Sequence, residues 1–376
     1  MSEAKAVGLG LIGCGSFGRF CLRAFAKMDR SLVRPVAAAH VTAHATADSD
    51  SELPVPVFDS PQKLLACRDV SLVHIATPPG SHYRLALEAI RAGKHVLCEK
   101  PLAMNVRQGD EMLAAAARRR RVLAVTFVMR YGPVARAAKT IIDSGLLGKV
   151  LSARVTNCAS DTGLPADHWF WNKHNSGGIF IEHGVHFFDL HRYWLGPGRV
   201  TYAHCELREG TTLQDRAICS IRHDNGAIGS HYHGFDRIAP MERTDHRLVC
   251  EMGDIRVKGW IPLELEVDAA VDENGAARLR RLCPEGRIEI VETYSPAQRR
   301  IMGRGKSRAV TKRIRLRYSR REDKQAAYED DLRRLLGDQV LYIRDRGHPR
   351  TVTELDGREA LVWAQKAARL TEHAEA

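Results

Sequence analysis

Residues 7–18 read VGLGLIGCGSFG. The first six are small or apolar and run straight into glycine-rich sequence, which predicts a short, fully buried strand. The next six, Gly13-Cys14-Gly15-Ser16-Phe17-Gly18, form a G-x-G-x-x-G, and the apolar spacing from Phe17 to Lys27 predicts a helix directly after it. Alone the motif says little. Between a strand and a helix each glycine has its own role. Gly13 permits the tight turn, Gly15 leaves room for a pyrophosphate, and Gly18 lets the helix pack closely on the strand. The helix start then offers unpaired N–H groups and a positive dipole end to the phosphates. The stretch therefore predicts the opening of a dinucleotide-binding domain, with Gly13, Gly15, Ser16, Phe17 and Gly18 against the cofactor.

The following sequence keeps the same rhythm. Strands are expected over 32–39, 70–77, 95–98 and 122–129, and helices over 81–92 and 108–121. Alternation at this spacing predicts a doubly wound parallel sheet of Rossmann type. After Tyr131 the texture changes to a helix over 135–144 and then to strand-like runs, several joined by Asn-Gly or Gly-Asp turns. These predict an α+β domain with a large, mostly antiparallel open sheet. The expected domains are 1–128, dinucleotide-binding, and 129–376, for substrate and oligomerisation. A final helix is expected over about 353–373, with Thr353 and Asp356 as its capping pair.

An NAD site commonly carries an acid at the end of the second strand to hold the ribose 2′-hydroxyl. Here that position reads Ala38-Ala39-His40, and Asp48 and Asp50 come too late. Loss of the acid removes repulsion against a 2′-phosphate, and His40, His44 or Arg34 could attract one. The cofactor is therefore expected to be NAD or NADP. Two further stretches carry chemistry. His95–Pro101 ends in Glu99-Lys100-Pro101 at a strand terminus, where ligands of open α/β sheets bind. Gly177–Asp189 reads GGIFIEHGVHFFD, and in a helix Glu182 and His186 would share one face.

At these residues the chain resembles the Gfo/Idh/MocA family of oxidoreductases, which combines the glycine fingerprint, a Glu-Lys-Pro motif and a Gly-Gly segment leading to Asp-x-x-x-His. The resemblance extends over Arg130-Tyr131-Gly132-Pro133, the Ser144-Gly145…Gly148 turn and the last helix, which it implies packs back on the first domain. It implies that Lys100 binds the reacting hydroxyl and helps move its proton, and that His186 is a general acid/base. Glu182 stands where the family usually has Asp, a carboxylate one methylene longer. Thr77, Pro78, His82 and Glu99 are assigned with Lys100 to the nicotinamide end, His82 as a structural group. Tyr131, His168, Trp169, Trp171 and His183 are candidate substrate contacts, since aromatic rings with polar neighbours suit a sugar ring. The implied activity is hydride transfer between a secondary hydroxyl of a sugar, cyclitol or glycoside and NAD(P). Two alternatives stand beside it: a redox-neutral glycosidase that oxidises, eliminates and re-reduces, and a non-catalytic cofactor-sensing or polyanion-binding protein.

Composition narrows the setting. The 376 residues suit two domains, no run is long and apolar enough for a membrane span, and no leader is read at the start. Nine scattered cysteines without a C-x-x-C pair read as reduced thiols of a cytoplasmic protein. The many histidines lack a metal-binding spacing, so no metal is expected. A homo-oligomer, dimer or tetramer, is expected from the resemblance. The net charge of +12 is concentrated between Gln298 and Lys324, where twelve basic residues face two acids. The alternation over Lys312–Tyr318 predicts a strand with a solvated or subunit-contact face. An anionic sugar is the second reading of this charge, and nucleic acid the least favoured.

Overall fold

The structure, a computed structural model, describes residues 5–41 and 53–372. His44, Asp48 and Asp50 lie outside the described residues. Packing divides the chain into two compact units. The first is built from Met1–Tyr131, Ala166–Asp189 and Tyr328–Ala368, and the second from Gly132–Pro165, Leu190–Ala327 and Arg369–Ala376.

The first unit opens with β1 (Val7–Ile12), α1 (Ser16–Ala26), β2 (Val33–Ala39), β3 (Val57–Phe58), α2 (Pro61–Ala66) and β4 (Leu72–Ile75). It continues with α3 (His82–Arg91), β5 (His95–Cys98), α4 (Val106–Arg119) and β6 (Leu123–Val125). The six strands form one sheet in the order β3-β2-β1-β4-β5-β6, all parallel. This is the expected Rossmann order, with the switch of direction between β1 and β4. Every residue of β1, β4, β5 and β6 is buried, as strands covered on both faces require.

Beyond the first sheet run α5 (Pro133–Asp143), β7 (Val150–Ser160), the one-turn α6 (Lys173–Ser176), a π-helical turn at Phe180–Gly184, and α7 (Val185–Leu195). Next come β8 (Gly198–Leu207), β9 (Gln214–His223), β10 (Ile228–Arg237), β11 (Arg243–Cys250), β12 (Gly253–Lys258), β13 (Glu264–Val271) and α8 (Gly275–Leu282). The chain ends through β14 (Arg287–Thr293), β15 (Arg300–Gly303), β16 (Lys306–Ala309), β17 (Lys312–Ser319), α9 (Lys324–Arg344) and α10 (Glu354–Glu372).

Within the first unit α10 lies against α4 and β6. Arg358 pairs with Asp110 at 2.8 Å, and the Gln365 amide oxygen accepts from the Val106 N–H at 2.9 Å. The Thr353 N–H donates to Asp356 at 2.7 Å, which caps the helix start. Arg130 ties three segments together. It is 5% exposed and grips Asp189 with two parallel bonds of 2.8 and 2.6 Å, while Asp356 lies 2.9 Å away. Arg130→Ala would leave Asp189, 1% exposed, as an uncompensated buried charge. Its expected cost is about 3 kcal/mol of unfolding free energy, read by urea denaturation with the slope unchanged.

The second unit holds a nine-stranded sheet ordered β14-β17-β13-β12-β11-β7-β10-β9-β8. Its pairings are antiparallel apart from β7 with β10. On β17, Ile314 and Leu316 are buried while the intervening arginines face acids on neighbouring strands. Arg313 and Arg315 share Asp268, Arg317 meets Glu266 and Glu289, and Lys312 meets Glu273. The β17 part of the basic segment is therefore a ladder of ion pairs, in agreement with the strand expected over Lys312–Tyr318.

The opposite face of this sheet carries histidines. His231 and His233 of β10 and His246 of β11 are 0–1% exposed, as is His191 of α7. His191 Nε2 and His246 Nδ1 are 3.1 Å apart, and the His191 and His231 rings lie 4.4 Å apart. Burial, first, holds all four imidazoles below their ordinary pKa. His233 and His246 fall to about 3.

Candidate active site

Apart from Arg34 and Tyr131, the described residues singled out in the sequence lie at or just after the carboxyl ends of β1, β2, β4 and β5 and in the Ala166–Asp189 segment, all within the first unit. Gly13 has a φ of +107°, and a Cβ there would sit 2.4 Å from the Ala76 carbonyl oxygen. A Cβ on Gly18 would meet the Gly13 carbonyl oxygen at 2.0 Å. Both glycines are thus demanded by the protein's own backbone. Gly15 is different: nothing lies within 4 Å of where its Cβ would be. It caps α1 without a side-chain hydrogen bond, so the first-turn N–H groups around Ser16 and Phe17 face open space. A cradle of backbone donors with room in front of it fits a pyrophosphate. Phe17 packs beside Phe20 and Tyr328, with ring centres 6.1 and 6.0 Å away.

His40 follows the end of β2, and its N–H donates to the Phe58 carbonyl at 3.1 Å. Arg34 lies at the opposite, starting end of that strand. At about 3.3 Å per residue it is too far from the strand's carboxyl end to meet a ribose phosphate there, which corrects the sequence reading. Thr77 bonds Ser81 through its hydroxyl at 2.6 Å, just before the Pro79–Ser81 turn. His82 is wholly buried, with Nδ1 2.8 Å from the Pro101 carbonyl and Nε2 2.8 Å from that of Thr77. Burial lowers its pKa against the pull of those two carbonyls. It therefore braces the loop that follows Lys100.

Glu99 turns inward. Thr126 donates to one carboxylate oxygen at 2.6 Å, and His74 Nε2 lies 3.0 Å from the other. The Cys21 thiol is close by, its pKa pushed well up by burial and then by the Glu99 charge. Glu99 thus pins the ends of β4, β5 and β6 together behind Lys100. A lone histidine in the apolar run 70–77 is the only sequence signal for this network.

Lys100 points the other way. Its Nζ donates to the Glu182 carboxylate and, at 2.9 Å, to the Glu182 backbone carbonyl. Glu182 and His183 sit in the π-helical turn, and His186 in the first turn of α7; all three are 8% exposed or less. The wider turn replaces the regular α-helical face expected for Glu182 and His186. Asp189, one turn beyond His186, is the residue held by Arg130. Arg130 and Asp189 both lie in stretches quoted from the sequence, but their pairing across 59 positions is not legible there.

The aromatic stretch forms a short 3₁₀ turn, Trp169–Trp171, opened by His168, whose Nδ1 accepts from the Phe170 N–H at 3.3 Å. Trp169 is half-buried with its ring centre 5.3 Å from that of His168, whereas Trp171 is buried. Tyr131 is spent on structure: its hydroxyl donates to Asp338 at 2.6 Å and accepts from Gln339.

Residues 7–127 match the family described as "Oxidoreductase family, NAD-binding Rossmann fold", and residues 135–256 match "GFO/IDH/MocA C-terminal domain". The chain belongs to the GFO/IDH/MocA family of oxidoreductases. Its cofactor is a nicotinamide dinucleotide, NAD or NADP. The chain is 31% identical over 182 residues to 1,5-anhydro-D-fructose reductase of Ensifer adhaerens, covering 47% of this chain and 54% of that protein. It is 33% identical over 141 residues to D-glucoside 3-dehydrogenase of Escherichia coli (strain K12), covering 37% and 40%. It spans 39–66% of the length of the first such relatives. Among solved structures, levoglucosan dehydrogenase in complex with NADH and L-sorbose has a TM-score of 0.77 at 21% identity, covering 98% of each chain. At that identity the likeness concerns the fold. Among the described residues no helix is long and apolar enough to cross a membrane.

Proposed function

We propose that this family member transfers a hydride reversibly between a secondary hydroxyl of a sugar, cyclitol or glycoside and the nicotinamide. The observation that carries this reading is the Lys100–Glu182 contact, made at a strand terminus of the unit that also holds the glycine cradle. When bound, the dinucleotide supplies the hydride acceptor or donor. The chain supplies positioning and proton handling. Lys100, fixed by two acceptors on one residue, keeps its remaining N–H for the reacting oxygen. Glu182 balances its charge, and His186, buried on the next turn, exchanges the proton. Trp169 offers a ring face to the substrate, and His168 and His183 offer polar edges. Relatives named for glucoside, levoglucosan and inositol oxidation support a polyhydroxylated substrate.

A homo-oligomer belongs to the same reading, since Tyr202, Ile218 and Ile228 remain exposed on β8, β9 and β10. Nine free thiols support a reducing compartment such as the cytoplasm.

The test pairs two readouts. The purified chain is incubated with NAD⁺ or NADP⁺ and a panel of sugars, cyclitols, sugar acids and aryl glycosides, and both reduced nicotinamide and released aglycone are followed. Stoichiometric reduced cofactor is the expected result, and it names the cofactor. Aglycone release without net reduction would replace the dehydrogenase by a redox-neutral glycosidase. Cofactor binding with silence in both channels would leave a binding protein.

A further inference from the structure

A groove of about 380 Å³ lies between α3 and α4. Its floor is Leu87, Ile90, Ala114 and Ala115, and its walls include Arg91, Arg118 and Arg119. It sits at the amino-terminal edge of the sheet: Arg91 precedes β5, and Arg118 and Arg119 precede β6. The glycine cradle and Lys100 follow the carboxyl ends of strands, so the groove is not part of the proposed active site.

The blandest account of arginines at helix ends is that they complement the helix dipoles. Two helix ends together supply only about one negative charge. Against that stand Arg91 and the run Arg118–Arg121. Among the described residues, no carboxylate pairs with Arg91, Arg118 or Arg119. The one acid in the groove, Glu111, is occupied by the Tyr83 hydroxyl and by Arg107. Nearby, Glu88 is taken by Arg84 and Gln62.

We propose that this groove is a binding site for a small organic phosphate with an apolar body. Three unpaired guanidinium forks can each take a phosphate oxygen, and the alanine and leucine floor accepts the carbon skeleton. The volume suits one small molecule. A concave, half-open seat of this size favours a small free ligand over a flat bilayer surface.

The probe is hexyl phosphate, titrated calorimetrically into the full chain with NADH in excess so that the cofactor site is filled. Inorganic phosphate and hexanol serve as partial ligands. Hexyl phosphate is expected to bind at least about tenfold more tightly than either. Ala115→Trp, which fills the groove, and the double change Arg118→Ala with Arg119→Ala should each weaken it about tenfold or more. NADH affinity should not change in either, because the groove lies at the other end of the sheet from the cradle, and the melting temperature of the double change should match the parent, since Arg118 and Arg119 are exposed. Equal affinity in Ala115→Trp, equal affinity for inorganic phosphate, or no binding would each overturn the site. Capture by phosphatidylglycerol vesicles with no affinity for hexyl phosphate would do the same.

Discussion

Lys100→Met is expected to lower kcat/KM for the alcohol substrate by about 10³–10⁴, with the loss in kcat rather than KM. Methionine keeps the length and much of the volume of lysine, so the strand end behind it should survive. The Glu99 network with Thr126 and His74 lies on the other side of the chain and is untouched. NADH affinity should therefore stay within a few-fold of the parent, measured by fluorescence. Lys100→Arg should not rescue activity. Guanidinium cannot give up its proton at accessible pH, and its planar fork does not fit a site in which one ammonium bonds both the carbonyl and the carboxylate of Glu182. A Lys100→Met protein with full kcat would remove the proton-handling role. Loss of NADH binding as well would mean that Lys100 organises the cofactor site instead. Glu182→Gln separates charge from shape: if the carboxylate balances the lysine during turnover, kcat should fall and its pH dependence should move, while the hydrogen-bonding outline stays.

The first sheet is legible in the sequence because its signals are local. An apolar run, a glycine turn and a helix lie within twenty residues, and each later strand repeats the pattern. The Lys100 and Glu182 stretches are legible as motifs. What brings them together is not, because the pairing spans 82 positions and depends on a π-helical turn that no periodicity announces. The helix α9 is hidden because its first turns follow the basic segment, and charge masks the spacing of Leu332, Leu335, Leu336 and Val340, all buried. The basic segment shows the opposite limit. Its charge is plain in sequence, but the partners that neutralise it, Asp268, Glu266 and Glu289, come from β13 and β14. The histidines of the second unit show no metal-binding spacing in sequence, and nothing there announces that they share a face. In the structure His231, His233 and His246 line one face of a sheet because β10 carries two of them at alternate positions, and β11 presents the third.

That face should make the protein acid-labile well above the carboxylate range. A histidine held neutral in the folded state, with its pKa depressed from 6.5, is protonated first in the unfolded chain. Its contribution is present above pH about 6.5 and is lost as pH falls below it toward the folded-state value. His233 and His246 each have a folded-state value of about 3. At pH 4.5 each should then cost about 2–3 kcal/mol, or about 5 kcal/mol for the two. This is a large share of a typical stability of about 5–15 kcal/mol. The groups around them cannot take up the charge. His191 and His231 are themselves held below their ordinary pKa by burial. The His191–His246 contact, 3.1 Å long, needs one donor and one acceptor nitrogen, so it survives only while at least one of the two imidazoles is neutral. Urea unfolding at pH 7.5, 6.0, 5.0 and 4.5 should show stability falling steeply from pH 6 downward. His233→Leu should flatten the curve over this range, at some cost at neutral pH from imperfect packing. Asp268 and Glu251, whose pKa values lie below the ordinary carboxylate range, lose their contribution only at still lower pH and so do not mask the effect. A parent curve that stays level from pH 7.5 to 4.5 would mean that water or a rearranged face accommodates the protonated imidazoles.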